Sequence, residues 1–149
     1  MLNRIAHTGH RINVVLLTSS LERGGAERQV VELANAIDPG MFNVRVITLS
    51  TNNPLASDLR DASDRLIALP KRYTYDLPLI LRTARVLSKL DAAIVHSFMF
   101  DAEIVGRLAG RLARVPAVIC SNRCPLSGPR QVQAVGLPCD RFMFRHHDR

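Results

Sequence analysis

The sequence is poor in several residue types, and each shortage excludes a class of protein. It contains no Trp and only 5% aromatic residues, so it lacks the stacking platforms that bind single-stranded nucleic acid. Its 3 cysteines are too few and too irregular for a secreted disulfide scaffold, which favours a reducing compartment. No apolar run is long enough to span a membrane, and residues 1–11 do not resemble a signal peptide. We therefore expect a cytoplasmic protein.

Basic residues outnumber acidic ones by 20 to 13, and the excess is denser in residues 122–149, with 5 basic and 2 acidic residues, than in residues 1–121, with 15 and 11. Only Lys71 and Lys89 are lysines, and the arginines of residues 1–121 are scattered among acidic residues. This scatter, with so few aromatic residues, predicts no nucleic-acid partner. It is compatible with an anionic substrate or with peripheral association with an anionic membrane surface.

Short apolar runs alternate with helical patterns over residues 12–121. The predicted strands are residues 12–18, 42–49, 65–69, 92–96 and 116–120. Apolar residues at helical spacing predict three amphipathic helices between them, with inward positions at Val30, Leu33, Ala34 and Ile37, then Leu77, Ile80, Leu81, Ala84 and Leu87, then Val105, Leu108, Ala109 and Leu112. This alternation predicts a doubly wound, Rossmann-like parallel α/β sheet.

The pattern also divides the chain into three parts. Residues 1–11 are an N-terminal extension, and residues 12–121 are the α/β domain. From residue 122 onward Pro and Gly interrupt every candidate element. We expect residues 122–149 to be a poorly ordered or divergent tail that adds little to stability.

The loop after the first predicted strand is the most informative segment for function. In an open parallel sheet, ligands bind beyond the carboxyl ends of the strands. Gly24 and Gly25 lie there, just before a predicted helix, where glycine permits close approach and unpaired N–H groups favour a phosphate. The spacing fits neither a dinucleotide fingerprint nor a P-loop. Alternatively, the glycines allow only a tight connection, and Glu27 complements the helix dipole.

A second candidate is His96, at the end of the fourth predicted strand. An imidazole in the crevice at the sheet edge is able to orient or deprotonate a hydroxyl group, which makes His96 the candidate catalytic residue. The alternative is a hydrogen-bonding residue at a strand end.

A metal site is not predicted. The remaining potential ligands have the spacing C-x3-C-x14-C-x6-H-H, which matches no compact zinc motif, and they are Cys120, Cys124, Cys139, His146 and His147.

Three segments in the expected order resemble the N-terminal domain of family 4 glycosyltransferases, retaining enzymes of the GT-B fold. They are residues 12–36 (INVVLLTSSLERGGAERQVVELANA), 54–62 (PLASDLRDA) and 94–123 (IVHSFMFDAEIVGRLAGRLARVPAVICSNR). The resemblance implies a sugar transferase whose co-substrate is a nucleotide sugar, with no further cofactor. This domain would form the acceptor side of a cleft and face a glycan or lipid-linked acceptor.

The resemblance also implies roles for particular residues. Gly24 and Gly25 would lie against the donor diphosphate, and Glu27, Asn122 and Arg123 would contact substrate. His96 matches the first histidine of an H-x-H pattern whose second histidine often has the active-site role. That second position is Phe98 in this chain.

The sequence departs from the family pattern in length. The 149 residues include no counterpart of the donor-binding domain with its basic pair and E-x7-E motif, and the tail diverges from Cys124. A truncated gene, a frameshift near residues 122–124, or a split enzyme with the donor-binding domain in trans would each explain this. We expect the chain to be inactive alone. The alternative function is a non-catalytic remnant or interaction module with an α/β fold.

Overall fold

The computed structural model of the protein describes residues 11–73 and 76–121. Strands and helices alternate along them. The strands are β1 Ile12–Thr18, β2 Phe42–Thr48, β3 Leu66–Ala68, β4 Ile94–Phe98 and β5 Ala117–Ser121. The α-helices are α1 Gly25–Ala36, α2 Ala62–Arg65, α3 Leu77–Lys89 and α4 Phe100–Leu112, and a 3₁₀ helix covers Pro54–Asp58. None of the described helices combines the length and the hydropathy that a membrane crossing requires. The predicted tail and most of the predicted N-terminal extension lie outside the described residues.

The strands form one sheet in the order β3-β2-β1-β4-β5, and every neighbouring pair is parallel. Parallel neighbours cannot be joined by a tight turn, so helices form the crossovers. The chain moves outward from β1 to β3 and then returns to the other side of β1 for β4 and β5. The predicted Rossmann-like α/β class is confirmed, and the order reverses between β1 and β4.

The central strand β1 separates two cores. Val15 and Leu17 pack against residues of α3 and α4, whereas Val14 and Leu16 pack against residues of α1. Leu16 and Leu17 are 1% and 0% exposed. Burial of each leucine stabilises the fold by about 1.5–3 kcal/mol. Because both faces of β1 are covered, its sequence is a continuous apolar run rather than an alternating one.

Helix α3 is rotated relative to the sequence prediction. Leu77 and Leu81, predicted to face inward, are 65% and 42% exposed, whereas Leu79 is 1% exposed. The helix packs against both the sheet and α4, so its buried arc is set by two neighbours. Asp76 is the N-cap of α3, and its carboxylate accepts a hydrogen bond from the backbone N–H of Leu79 at 2.9 Å. The prediction for Leu77 and Leu81 was therefore wrong.

Helix α4 lies close to the sheet through two glycines. A Cβ atom on Gly106 would overlap Ser97 Oγ, and one on Gly110 would lie 2.8 Å from Val118 Cγ2. Small side chains therefore face the strands. Leu112, predicted to face inward, is 58% exposed.

Strands β4 and β5 are displaced towards the C-terminus relative to the prediction, by two residues and by one residue. Asp91 has a left-handed φ of 47°, which turns the chain after α3 and leaves residues 92 and 93 in the connection to β4. Strand β5 begins at Ala117 because Pro116 has no N–H group for the ladder. Strand β4 also extends to Phe98, which pairs with Thr18 of β1 and Ser121 of β5, so His96 lies in the middle of the strand rather than at its end.

Candidate anion-binding site

Two loops at the carboxyl edge of the sheet are held together by Leu21. The Leu21 side chain is 0% exposed. Its backbone N–H donates to Asn53 Oδ1 at 2.9 Å, and its carbonyl accepts from the Leu55 N–H at 3.0 Å. The loop after β1 is thereby tied to the 3₁₀ helix after β2, which gives it a defined position beside α1.

Asn53 also anchors the end of β2. Its side-chain amide donates to Thr48 Oγ1 at 3.1 Å and to the Ser50 carbonyl at 2.8 Å. One polar side chain thus satisfies backbone and hydroxyl groups from two loops. Sequence reasoning missed Asn53, although an Asn directly before Pro54 is typical of a turn whose side chain bonds nearby backbone.

Helix α1 starts beside this junction. Gly24 is its N-cap, and no side chain makes a capping hydrogen bond there. The N–H groups of the first turn have no acceptor within the helix. The Glu27 carboxylate lies over Gly24, where an added Cβ would overlap it, whereas a Cβ on Gly25 would meet nothing within 4 Å. Glu27 therefore places negative charge at the positive end of α1, the position that the alternative of a tight connection assigns to it, and its contact with substrate stays a prediction.

A cavity of about 380 Å³ opens next to this first turn. It is lined by Arg23, Gly24, Gly25, Arg28, Pro54, Leu55, Ser57 and Asp58. Arg23 and Arg28 are exposed, and no ion pair engages either guanidinium within residues 11–73 and 76–121. Two guanidinium groups and a helix N-terminus in one cavity suit an anionic ligand. Sequence reasoning did not single out Arg23 or Arg28, although each lies within three residues of the glycine pair.

The helix N-terminus that follows β4 is less suited to an anion. The first turn of α4 carries Asp101 and Glu103, and the Asp101 carboxylate pairs with Lys71 Nζ at 2.9 Å. Glu103 likewise pairs with Arg107, so both α4 carboxylates have cationic partners, whereas Arg23 and Arg28 beside α1 have no ion-pair partner among the described residues. Met99, the N-cap of α4, has a backbone φ of 70°, which residues other than glycine seldom adopt.

His96 lies away from this cavity. It is paired in the sheet between Leu16 of β1 and Ile119 of β5. Its Nε2 lies 2.8 Å from Ser121 Oγ, and its ring centroid lies 4.2 Å from that of Phe98. The structure therefore does not bring His96 into the cavity formed at Gly24 and Gly25. Its catalytic role stays a prediction.

Cys120 shows no sign of a reactive thiol. Burial raises its pKa, although Arg107 Nε donates to its Sγ at 3.2 Å and acts in the opposite direction. A protonated, half-buried thiol is a weak nucleophile at neutral pH. No cluster of three or more His, Cys, Asp or Glu in residues 11–73 and 76–121 has the geometry to hold a metal. Asn122, Arg123 and the remaining cysteines and histidines of the candidate metal set lie outside the described residues.

These features define a Rossmann-like α/β domain with a cavity at the carboxyl edge of its sheet that is lined by two arginines and one aspartate. The chain belongs to the glycosyl transferase 4-like domain family, whose model matches residues 24–149. The match starts at the N-cap of α1 and includes residues 122–149, so the family assignment extends beyond the segments that carried the resemblance.

Comparison with solved structures finds a distant similarity. The chain resembles the C-terminal domain of a hydrogenase from Pyrococcus furiosus with a TM-score of 0.44 and 10% identity, over 76% of this chain and 92% of that one. Such a similarity carries no argument about function. Comparison with curated proteins gives no significant match.

Proposed function

We propose that this glycosyltransferase-type domain forms the acceptor side of the cleft in a retaining enzyme that uses a nucleotide-activated sugar. The observation that supports this most directly is the cavity in which the first turn of α1 meets Arg23 and Arg28. The diphosphate of a nucleotide sugar has the charge that this cavity complements. Gly25 leaves the approach to the backbone open, because its Cβ position is empty space.

In this proposal the Glu27 carboxylate leaves the N-terminus of α1 and contacts the substrate when the donor binds. Its carboxylate now lies over Gly24, where it would repel a diphosphate. Movement of this flexible side chain away from the helix terminus would free the N–H groups and let the carboxylate accept a hydrogen bond from a substrate hydroxyl. Asn122 and Arg123 directly follow Ser121, the last residue of β5, in the sequence, and we assign them substrate contacts.

Sugar transfer also requires a second, donor-binding domain, in the same polypeptide or in another. Catalysis of this kind depends on donor and acceptor being held together in a closed, preorganised cleft. A purified polypeptide of these 149 residues is therefore expected to show no transfer from nucleotide sugars. Turnover by this polypeptide, free of contaminating enzyme, would show that no second domain is needed.

The position of His96 favours one alternative, a non-catalytic interaction module with the same fold. The imidazole is bonded to Ser121 and lies outside the cavity, so no catalytic group identified from the sequence lines the cavity. If a donor-binding domain supplied in trans restores transfer, this alternative is wrong.

The test of the anion site is an amide chemical-shift titration of the 149-residue protein with nucleoside diphosphates. We expect shifts in residues 19–28 and 54–58, with a dissociation constant of about 1 mM because contacts from a second domain are absent. Gly25→Val should abolish binding without unfolding the protein, since the side chain would enter open space and crowd the N–H groups.

Charge variants provide a matched comparison. Arg23→Gln and Arg28→Gln should each weaken binding, whereas Arg111→Gln, on the exposed side of α4, should not. Shifts that cluster elsewhere, or that persist unchanged in Gly25→Val and in both cavity arginine variants, would show that the loop is only a tight connection.

A further inference from the structure

Apolar side chains are exposed at the start of α3. Leu77 and Leu81 are 65% and 42% exposed, and Tyr73, just before the helix, is 71% exposed. These are half of the 6 large hydrophobic side chains that are exposed in the described part of the chain. Leu77 and Leu81 are four positions apart, so they are neighbours on the helix surface. Neither leucine belongs to the buried core, and both leave apolar surface open to solvent.

The same face becomes basic towards the end of the helix. Further steps of four residues lead from Leu81 to Arg85 and Lys89, both exposed, and we call these four residues the α3 outer face. No Asp or Glu occurs within α3. Asp76 precedes it, but its carboxylate is buried and accepts hydrogen bonds from the backbone N–H groups of Arg72 and Leu79. The charge of the α3 outer face is therefore not neutralised by its own helix.

The position of α3 in the fold relates this face to the candidate site. The helix follows β3 and precedes β4 in a parallel sheet, so its N-terminus lies on the side of the carboxyl edge. Leu77 is thus at the end of α3 nearer the ligand-binding edge, and Lys89 is at the far end.

We propose that the α3 outer face rests on an anionic lipid surface. Leu77 and Leu81 enter the headgroup region, and Arg85 and Lys89 pair with lipid phosphates. Apolar side chains beside basic ones are the combination that such surfaces attract, and the exposed Asp91 lies beyond Lys89, at the end of the helix away from the leucines. A nucleic acid would use the charges but leaves the leucines without a partner. A second copy of the chain would present the same positive charge and be repelled. This proposal goes beyond sugar transfer, and it does not depend on the diphosphate site.

Vesicle co-sedimentation of the 149-residue protein tests the proposal. We expect binding to phosphatidylcholine vesicles that contain phosphatidylglycerol and little binding to phosphatidylcholine alone. The double variants Leu77→Ser/Leu81→Ser and Arg85→Glu/Lys89→Glu should each lower the affinity by about tenfold or more. Leu112→Ser and Arg111→Glu/Arg114→Glu make the same chemical changes at exposed positions outside the face, and they should leave the affinity within about twofold of the wild type.

A fluorescence measurement provides an independent readout. Because the chain has no Trp, Leu81→Trp introduces a single reporter, and Leu112→Trp is its control. Emission of Leu81→Trp should shift to shorter wavelength with anionic vesicles, and that of Leu112→Trp should not.

Three results would overturn the proposal. The first is equal binding to both vesicle types, and the second is an equal loss in the outer-face and control charge variants. The third is self-association in the absence of vesicles that disappears in the leucine variant, which would identify a second copy as the partner. The diphosphate titration is unaffected by any of these outcomes, so the two proposals fail separately.

Discussion

The Asn53 side chain and the Leu21 backbone, 32 positions apart in the sequence, are joined by a hydrogen bond of 2.9 Å. Through it the loop after β1 is held against the loop after β2. The two walls of the candidate cavity, the first turn of α1 and the 3₁₀ helix, lie on either side of this junction. The shape of the cavity therefore depends on a residue that does not line it.

We expect Asn53→Ala to lower the free energy of unfolding by about 1–3 kcal/mol, because the Leu21 N–H would be left without its acceptor. The same change should weaken nucleoside diphosphate binding. Chemical denaturation and the shift titration measure the two effects. Asn52→Ala removes a neighbouring, exposed amide that makes only a long hydrogen bond of 3.4 Å to Glu22 Oε1, and we expect a change below about 0.5 kcal/mol. Equal effects of the two variants would show that the junction does not shape the site.

Removal of the Glu27 charge should have opposite effects on stability and on binding. Glu27→Gln loses the interaction between the carboxylate and the α1 dipole, which is expected to lower stability by about 0.3–1 kcal/mol. It should also tighten diphosphate binding, because a negative group leaves the helix N-terminus. Glu32→Gln, on the exposed side of the same helix, is the control for both measurements. Weaker diphosphate binding by Glu27→Gln would contradict the repulsion that we infer.

Asp76 should make stability depend on pH. Hydrogen bonds from the Arg72 and Leu79 backbone N–H groups, with Arg82 nearby, hold the pKa of this carboxyl below its usual range. Since the unfolded chain then binds the proton more readily, Asp76 stabilises the protein above the ordinary aspartate pKa of about 4. This contribution should be lost progressively as pH falls from there through the lower pKa of the native state.

The Asp76→Asn variant removes the titrating carboxyl and so isolates its contribution to the pH dependence of stability. In Asp76→Asn, the free energy of unfolding should fall less steeply on acidification than in the wild type. Asp64→Asn, at an exposed position in α2, should keep the wild-type slope. Parallel pH profiles for the wild type and Asp76→Asn would contradict the assignment.

The contact between α4 and β4 predicts a non-additive pair of substitutions. Gly106→Ala should lower stability by about 1–3 kcal/mol, because the new methyl group overlaps Ser97 Oγ. Ser97→Ala should be neutral or stabilising by about 1 kcal/mol, because the buried Ser97 Oγ has no hydrogen-bond partner among the described residues.

In the Ser97→Ala background, Gly106→Ala should therefore cost less than it does alone. Thermal unfolding of the four proteins in this cycle provides the measurement. Strict additivity would show that the Ser97 hydroxyl is not what Gly106 accommodates.

Much of the fold could be predicted from local pattern. The apolar run of β1 indicated a strand covered on both faces, and the alternation of strands with helices indicated a parallel sheet. Predicted and observed strands overlap throughout, with most of their ends within one residue. The largest shift is in β4, where Asp91 adopts a left-handed conformation that no periodicity reveals. Because β4 ends at Phe98 rather than at residue 96, His96 lies in the middle of the strand and not at its end.

The rotation of α3 and α4 about their own axes, which decides the face that each helix buries, was harder to predict from the sequence. Helical spacing identifies an apolar stripe, but α3 and α4 each pack against a sheet and against one another. The buried arc is then set by where two surfaces meet, which is why Leu77, Leu81 and Leu112 are exposed against expectation.

By itself, the sequence determined the class of fold, the family resemblance and the position of Gly24 and Gly25 at the start of α1. These follow from residues close together in the chain, where spacing and backbone preference act directly. Only the tertiary structure decided that Asn53 holds the loops, that Arg23 and Arg28 share a cavity with the 3₁₀ helix, and that His96 lies outside it. The physical reason is that such contacts join separate strands at one edge of the sheet, and their geometry depends on strand order and register, which no local pattern encodes.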